Sequence, residues 1–262
     1  MRIAHISDLH IVAEGDTLDV APMAQNLARV VTDLNSVKPD LVLVSGDIAN
    51  TAQLAETRRA AYILNQLQMP YYVTPGNHDD RGVLWEVFGG QAVPAREIGH
   101  LSYALNAGGY RIIGLDSSDP EHRNGMICDS RAAWLESQLA EFGETPTLIF
   151  MHHPPVKCGV EETDNPPLKG AELLARVVSR HSQIERILCG HIHLPVQALW
   201  QGRQVCTAPS LGMRLRFDPN ENKGSAFFVT PPAYLLHLHN ADGELVSHQI
   251  TLDEAAGPFG FG

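Results

Sequence analysis

Five short stretches of this chain place metal-binding side chains just past an apolar run. Asp8-Leu9-His10 follows the run at residues 2–7, and Gly46-Asp47-Ile48-Ala49-Asn50 follows 40–45. Gly76-Asn77-His78-Asp79 follows 71–74, His152-His153-Pro154-Pro155 follows 147–151, and Gly190-His191-Ile192-His193 follows 186–189. Each stretch alone has a plain structural reading, Gly-Asp as a turn and Asn-His-Asp as a cap. Five independent turns, however, have no structural reason to choose carboxylate, amide and imidazole groups, and all five do.

The residue types define the chemistry. Carboxylate oxygens, an amide oxygen and imidazole nitrogens suit divalent Mn, Fe, Co or Zn, whereas an all-oxygen set would suit Mg or Ca. None of these stretches supplies a cysteine, which disfavours a structural zinc site. In Asp8-x-His10 and His191-x-His193, residues two apart reach inward together only where a strand gives way to a loop. Glycines 46, 76 and 190 let the backbone turn sharply and approach the ions. A carboxylate can bridge two cations, and Asp47 is the best placed to do so.

The elements that must carry these loops alternate along the chain. Residues 2–7, 40–45, 71–74, 111–115, 147–151 and 186–189 read as strands rich in Val, Ile and Leu, as expected for strands buried on both faces. Between them, 22–37, 54–67, 131–142 and 171–182 show helical spacing, with Asp129-Ser130 as a cap for the third and Gly143 as its stop. After about residue 195 the pattern turns strand-like at 196–200, 226–230, 233–239 and 244–251, predicting an antiparallel second sheet. Residues 214–224 are polar and Asn-rich and read as a long loop. In an α/β sheet of this kind the crevice outside the carboxyl ends of the strands is where ligands bind, and that is where all five stretches fall.

Composition narrows the setting. The 262 residues are 44% hydrophobic and 19% charged, with a formal net charge of −11. That charge repels nucleic acid and anionic lipid, and no Lys/Arg cluster offsets it, so a small anionic substrate must be drawn in locally. No apolar run approaches the length of a membrane span, and residues 1–6 already read as a strand rather than a cleavable leader. The expected setting is cytoplasmic. Cys128, Cys158, Cys189 and Cys206 form no C-x-x-C pair and are expected to be reduced.

The ordered motifs Asp-x-His, Gly-Asp-x-x-Asn, Gly-Asn-His-Asp, His and Gly-His-x-His resemble those of the calcineurin-like metallophosphoesterases. His5-Ile6-Ser7-Asp8, Pro75–Asp79 and Phe150–Pro155 are similar to the bacterial branch that holds class III cyclic nucleotide phosphodiesterases and glycerophosphodiesterases. The resemblance covers residues 1–195 strongly and the remainder loosely. It implies an α/β fold, a four-layer α/β/β/α sandwich of two mixed sheets, formed as one domain over residues 1–262. It further implies that Asp8, His10, Asp47 and His193 hold one divalent ion, and that Asp47, Asn77, His152 and His191 hold a second. Two such ions activate a water for in-line attack on a phosphodiester.

In the same resemblance His78 contacts the substrate and protonates the leaving group, and Asp79 beside it is expected to orient the ring, as carboxylates orient imidazoles. Asn77 serves both metal and substrate. Where glycerophosphodiester-cleaving relatives carry a further histidine, this chain has Ala208–Arg214, so Arg214 is offered as a phosphate contact. His153 is expected to point away from the ions, and His5 to be a satisfied core residue. The tail from Ala255, with Phe259 and Phe261, is expected either to fray or to dock on a neighbouring subunit of a homo-oligomer. The expected substrates are cyclic nucleotides or glycerophosphodiesters. The readings to set against this are a catalytically silent scaffold of the same fold, a phosphomonoesterase, and a nuclease.

Overall fold

The computed structural model describes residues 1–15, 21–97, 99–217, 226–240 and 242–253. In chain order, the first part runs β1 (Arg2–Ile6), α1 (Met23–Val37), β2 (Leu41–Val44), α2 (Leu54–Leu64), β3 (Tyr71–Val73) and α3 (Arg81–Phe88). The middle runs β4 (Tyr103–Ala107), β5 (Tyr110–Gly114), α4 (Asp129–Glu141), β6 (Thr147–Phe150), α5 (Glu161–Asp164), α6 (Ala171–Val178) and β7 (Ile184–Cys189). The last part runs β8 (Gln197–Trp200), β9 (Arg203–Thr207), β10 (Met213–Leu215), β11 (Phe227–Val229), β12 (Ala233–His239) and β13 (Leu245–Thr251).

These strands form two mixed sheets, ordered β13-β12-β1-β2-β3 and β4-β5-β6-β7-β9-β8. The parallel centre of the first is β1-β2-β3, and that of the second is β5-β6-β7-β9. Side-chain alternation assembles the layers. In β6, Leu148 and Phe150 face the other sheet, while Ile149 packs outward with Leu135 and Leu139 of α4 and Leu174 and Val178 of α6. On the far side Leu27, Val30 and Leu34 of α1 join Val42 and Val44 in the larger core. The architecture is therefore a four-layer α/β/β/α sandwich.

The late strands do not make a sheet of their own, contrary to the expectation from their turn signals. β8 and β9 extend the second sheet beside β7, β12 and β13 extend the first beside β1, and β10 with β11 forms a separate hairpin. Alternation and turns specify that strands exist and that neighbours pair. Which open edge receives a hairpin is decided by the apolar face left uncovered there. Residues 213–215 also form a strand rather than part of a loop. The cap of α4 differs too: the helix starts at Asp129, with Cys128 at the cap position.

Candidate metal centre

The loops after β1, β2 and β3 from one sheet meet the loops after β6 and β7 from the other. The centre thus sits at the shared edge of the sandwich. Its local backbone is costly: Asp8 (φ 55°), His10 (43°), Asp47 (51°), His191 (71°) and His193 (56°) all adopt the left-handed region. Non-glycine residues there carry strain of order 1 kcal/mol or more, and such positions cluster at functional sites. Close approach explains two of the glycines. A Cβ at Gly76 would collide with Asp47 Oδ1, and one at Gly190 would collide with Ser7 Oγ.

Ligand atoms of Asp8, His10, Asp47 and His193, all buried, lie within 4.8 Å of one another. His10 Nε2 is 3.1 Å from His193 Nε2 and 3.6 Å from Asp47 Oδ2, and His193 Nε2 is 3.4 Å from Asp8 Oδ1. On the other side of the same carboxylate, His152 Nε2 lies 3.3 Å from Asp47 Oδ2 and 3.1 Å from Asn77 Oδ1. His191 is next to His152, with ring centroids 5.1 Å apart, and its buried Nε2 has no hydrogen-bond partner. Asp47 Oδ2 therefore faces two histidine sets at once. The loops distant in sequence do converge, and each of the seven expected ligand residues is at the convergence.

The hydrogen bonds fix which atoms face inward. His152 Nδ1 donates to the Ser45 carbonyl at 2.7 Å, and His193 Nδ1 donates to the Met213 carbonyl at 2.7 Å. Both rings are thereby held with Nε2 turned into the centre; when that nitrogen is neutral it carries a lone pair, as in histidines that bind metal. A cluster of carboxylate, amide and imidazole acceptors at these separations repels itself until a proton or cation lies between them. The donor set fits a divalent cation on each side of Asp47.

Burial and neighbouring charges shift the imidazoles of the centre in opposite directions. Burial pushes the His10 imidazole down to about 4 and His191 well below its usual range, so both rings are neutral. His152 differs: burial opposes its charge, but the adjacent Asp47 carboxylate outweighs this and pushes it up to about 9. The stabilisation from that proton is complete below pH 6.5 and is lost as pH rises through about 9. A divalent cation must displace the proton to reach Nε2. Metal uptake at pH 7 should accordingly release a proton, and apparent affinity should weaken from pH 9 to pH 6. Calorimetric titrations in buffers of different ionisation enthalpy measure this, and a heat that ignores the buffer would refute it.

Two roles change in the structure. His78 Nδ1 donates to the carbonyl of Asn50 at 2.7 Å, so that carbonyl orients the ring instead of Asp79. Asp79 accepts from the backbone N–H of Ile48, Ala49 and Gly76 at 2.9–3.2 Å. It clips the Asp47 loop to the Asn77 loop. Its short side chain follows His78 into the turn and meets the amides that the left-handed kink at Asp47 leaves unpaired. Burial and then the Asp47 charge push its pKa up to about 6. Asp79→Ala would leave these N–H groups unsatisfied, at about 1–3 kcal/mol each where no water enters. The expected result is a clear loss of thermal stability together with weaker metal retention, read by calorimetry and elemental analysis.

Arg214 is not in the cleft. It is exposed, with its guanidinium 4.6 Å above the Phe228 ring, because alternation along β10 sends Met213 inward and Arg214 outward. The cation that does line the cavity, of about 320 Å³, is Arg123. Arg123 belongs to the loop after β5. It lies eight residues past the strand predicted at 111–115, too far for the rule of reading just past a strand's carboxyl end, and its loop carries no motif. His153 is not turned away from the centre as expected: one of its ring nitrogens lies within 4.8 Å of those of His152 and His191. Its two nitrogens are nonetheless engaged, meeting Ser117 Oγ at 2.9 Å and the Arg123 carbonyl at 3.0 Å. His5 is buried and bonds Ser45 Oγ at 2.8 Å through Nε2, but its Nδ1 has no partner, so it is only half satisfied. All four cysteines are free thiols. The tail with Phe259 and Phe261 lies outside the described residues. Among the described residues no helix is long and apolar enough to cross a membrane.

The calcineurin-like phosphoesterase profile matches residues 1–195. The chain is 33% identical over 266 residues to a probable glycerophosphodiester phosphodiesterase GpdQ of Arcobacter nitrofigilis, spanning 100% of this chain and 97% of that protein. It is 26% identical over 253 residues to the 3',5'-cyclic adenosine monophosphate phosphodiesterase CpdA of Escherichia coli K12, spanning 94% of this chain and 88% of that one. In fold it is similar to a dimetal phosphatase from Danio rerio, with a TM-score of 0.64, 16% identity, and coverage of 97% and 99%. With the profile covering most of its length, the chain belongs to the calcineurin-like phosphoesterase family.

Proposed function

We propose that this protein is a metal-dependent phosphoric diester hydrolase acting on small phosphodiesters, of the glycerophosphodiester or 3',5'-cyclic nucleotide class. The observation that carries the reading is the position of Asp47 Oδ2, within 3.6 Å of His10 Nε2 and 3.3 Å of His152 Nε2. In this reading Asp8, His10, Asp47 and His193 hold one divalent ion, and Asp47, Asn77, His152 and His191 hold the other. Fe, Mn, Co and Zn all suit this set. The relatives that cleave glycerophosphodiesters and cyclic AMP support the substrate class.

Two divalent cations supply positive charge to the phosphoryl oxygens and lower the pKa of water toward neutrality. The chain does the rest. The left-handed kinks at Asp8, Asp47 and His191 fix the ligand atoms before substrate arrives, which removes reorganisation cost from the reaction. His78, held through Nδ1 by the Asn50 carbonyl, presents Nε2 to the cavity. There it donates a proton to the departing alkoxide oxygen. Asp79 acts through the loops, holding Asp47 and Asn77 in register.

The whole chain, 1–262, is proposed to act as one domain in a cytoplasmic setting, and its acidic balance argues against a nuclease role. The test is reconstitution with each metal in turn, followed by turnover on bis(p-nitrophenyl) phosphate, cyclic AMP, glycerophosphoethanolamine and p-nitrophenyl phosphate. About two cations per chain with diesters preferred is the expected result. Bound metal without hydrolysis of any ester would favour a silent scaffold, and preference for the monoester would make it a phosphomonoesterase.

A further inference from the structure

The cleft above the metal centre has two unlike walls. One is apolar, made of Met213, Leu215 and Phe227 from β10 and β11. The other carries Arg123, Glu162 and Thr163. Apart from the side chains at the metal centre itself, Arg123 and Glu162 are the charged residues among the described lining.

The polar wall is built from the centre outward. His153, next in sequence to His152, is buried and donates from Nε2 to the Arg123 carbonyl at 3.0 Å, while Ser117 Oγ bonds its Nδ1 at 2.9 Å. Asn124 is buried, and its amide donates to the Thr163 carbonyl at 3.0 Å and to the Pro166 carbonyl. The loop bearing Arg123 is thus stapled to the segment bearing Glu162, and both are stapled to the strand end that delivers His152. A carboxylate beside an anionic substrate is costly unless a donor on the substrate meets it. A guanidinium in the same wall fits a phosphoryl oxygen.

We propose that Arg123 and Glu162 are specificity-determining residues of the cleft. Arg123 binds a non-bridging phosphoryl oxygen, and Glu162 accepts hydrogen bonds from hydroxyl or ammonium groups on one ester arm. The preferred substrates are then phosphodiesters with a hydroxylated or ammonium-bearing arm, and a monoester, which keeps a single arm and brings a second negative charge beside Glu162, fits poorly. This assignment rests on the phosphodiesterase reading above.

The experiment measures kcat and KM of the metal-loaded wild type, Glu162→Gln, Glu162→Ala, Arg123→Ala and Arg123→Lys. The substrates are glycerophosphoethanolamine, whose arms are polar, and bis(p-nitrophenyl) phosphate, whose arms offer no donor. Metal content and circular dichroism confirm that each variant is folded and loaded. Glu162→Gln should lower the kcat/KM ratio of glycerophosphoethanolamine to bis(p-nitrophenyl) phosphate about tenfold, mostly through KM. Arg123→Ala should lower kcat/KM toward both diesters by about 10- to 100-fold, with partial recovery in Arg123→Lys. An unchanged ratio in the Glu162 variants, or an Arg123→Ala enzyme equal to wild type, overturns the assignment while the phosphodiesterase reading stands. A loaded wild type that cleaves neither diester overturns that reading and the assignment with it.

Discussion

Asp47→Asn should cost this protein a cation and nearly all of its turnover. The substitution keeps the shape of the side chain and an oxygen to accept the His78 N–H, which Asp47 Oδ1 now takes at 2.8 Å. It removes the charge that faces His10 and His152 together. One neutral amide oxygen cannot neutralise two divalent ions, so at most one should remain per chain. Turnover on bis(p-nitrophenyl) phosphate should fall by about 10⁴ or more, about 5.5 kcal/mol in the barrier. A second signature separates this from simple misfolding. Asp47 is the largest cause raising the His152 pKa, so the metal-free variant should lose less stability between pH 6.5 and about 9 than the wild type does, with the part from His193 beside Asp8 remaining. A variant that keeps two cations and near-normal turnover would contradict the bridging role.

His78→Ala should leave both cations in place and depress kcat. The ring is fixed by the Asn50 carbonyl and stands edge-on to His10, with centroids 4.8 Å apart, without joining the ligand atoms. A positioned general acid contributes about 10² to 10⁴ in rate. The loss should therefore be largest for glycerophosphoethanolamine, whose alkoxide needs a proton, and smaller for bis(p-nitrophenyl) phosphate, whose leaving group does not. Equal losses on the two substrates would argue against proton donation. Loss of metal would mean that His78 holds the centre together and does not act on the leaving group. The acidic limb of the pH–rate profile should be read alongside, since His152 gains its proton there when the cation is lost.

The chemistry was largely legible in the sequence because a metal centre must use specific side chains, and side-chain identity is what a sequence records. Residue type and place just past apolar runs brought out the five stretches that hold Asp8, His10, Asp47, Asn77, His152, His191 and His193, and the family resemblance narrowed them to these seven over Asn50, His78, Asp79 and His153. The layered α/β class was legible for a related reason: strands buried on both faces need continuous Val, Ile and Leu, as in Leu41–Val44.

Three-dimensional packing decided what identity does not encode. The destination of β8, β9, β12 and β13 depended on which sheet edges were left uncovered, and no local pattern carries that information. Asp79 and Arg214 were given chemical roles on residue type, but their contacts depend on direction. Asp79 found backbone amides freed by the kink at Asp47, and strand alternation turned Arg214 out onto Phe228. Arg123 went unnoticed for the converse reason: its loop carries no motif, and only the folded chain brings it beside Glu162. Residue type thus set the reaction this centre can perform, whereas long-range packing set which groups surround it, because side-chain direction exists only once both sheets are assembled.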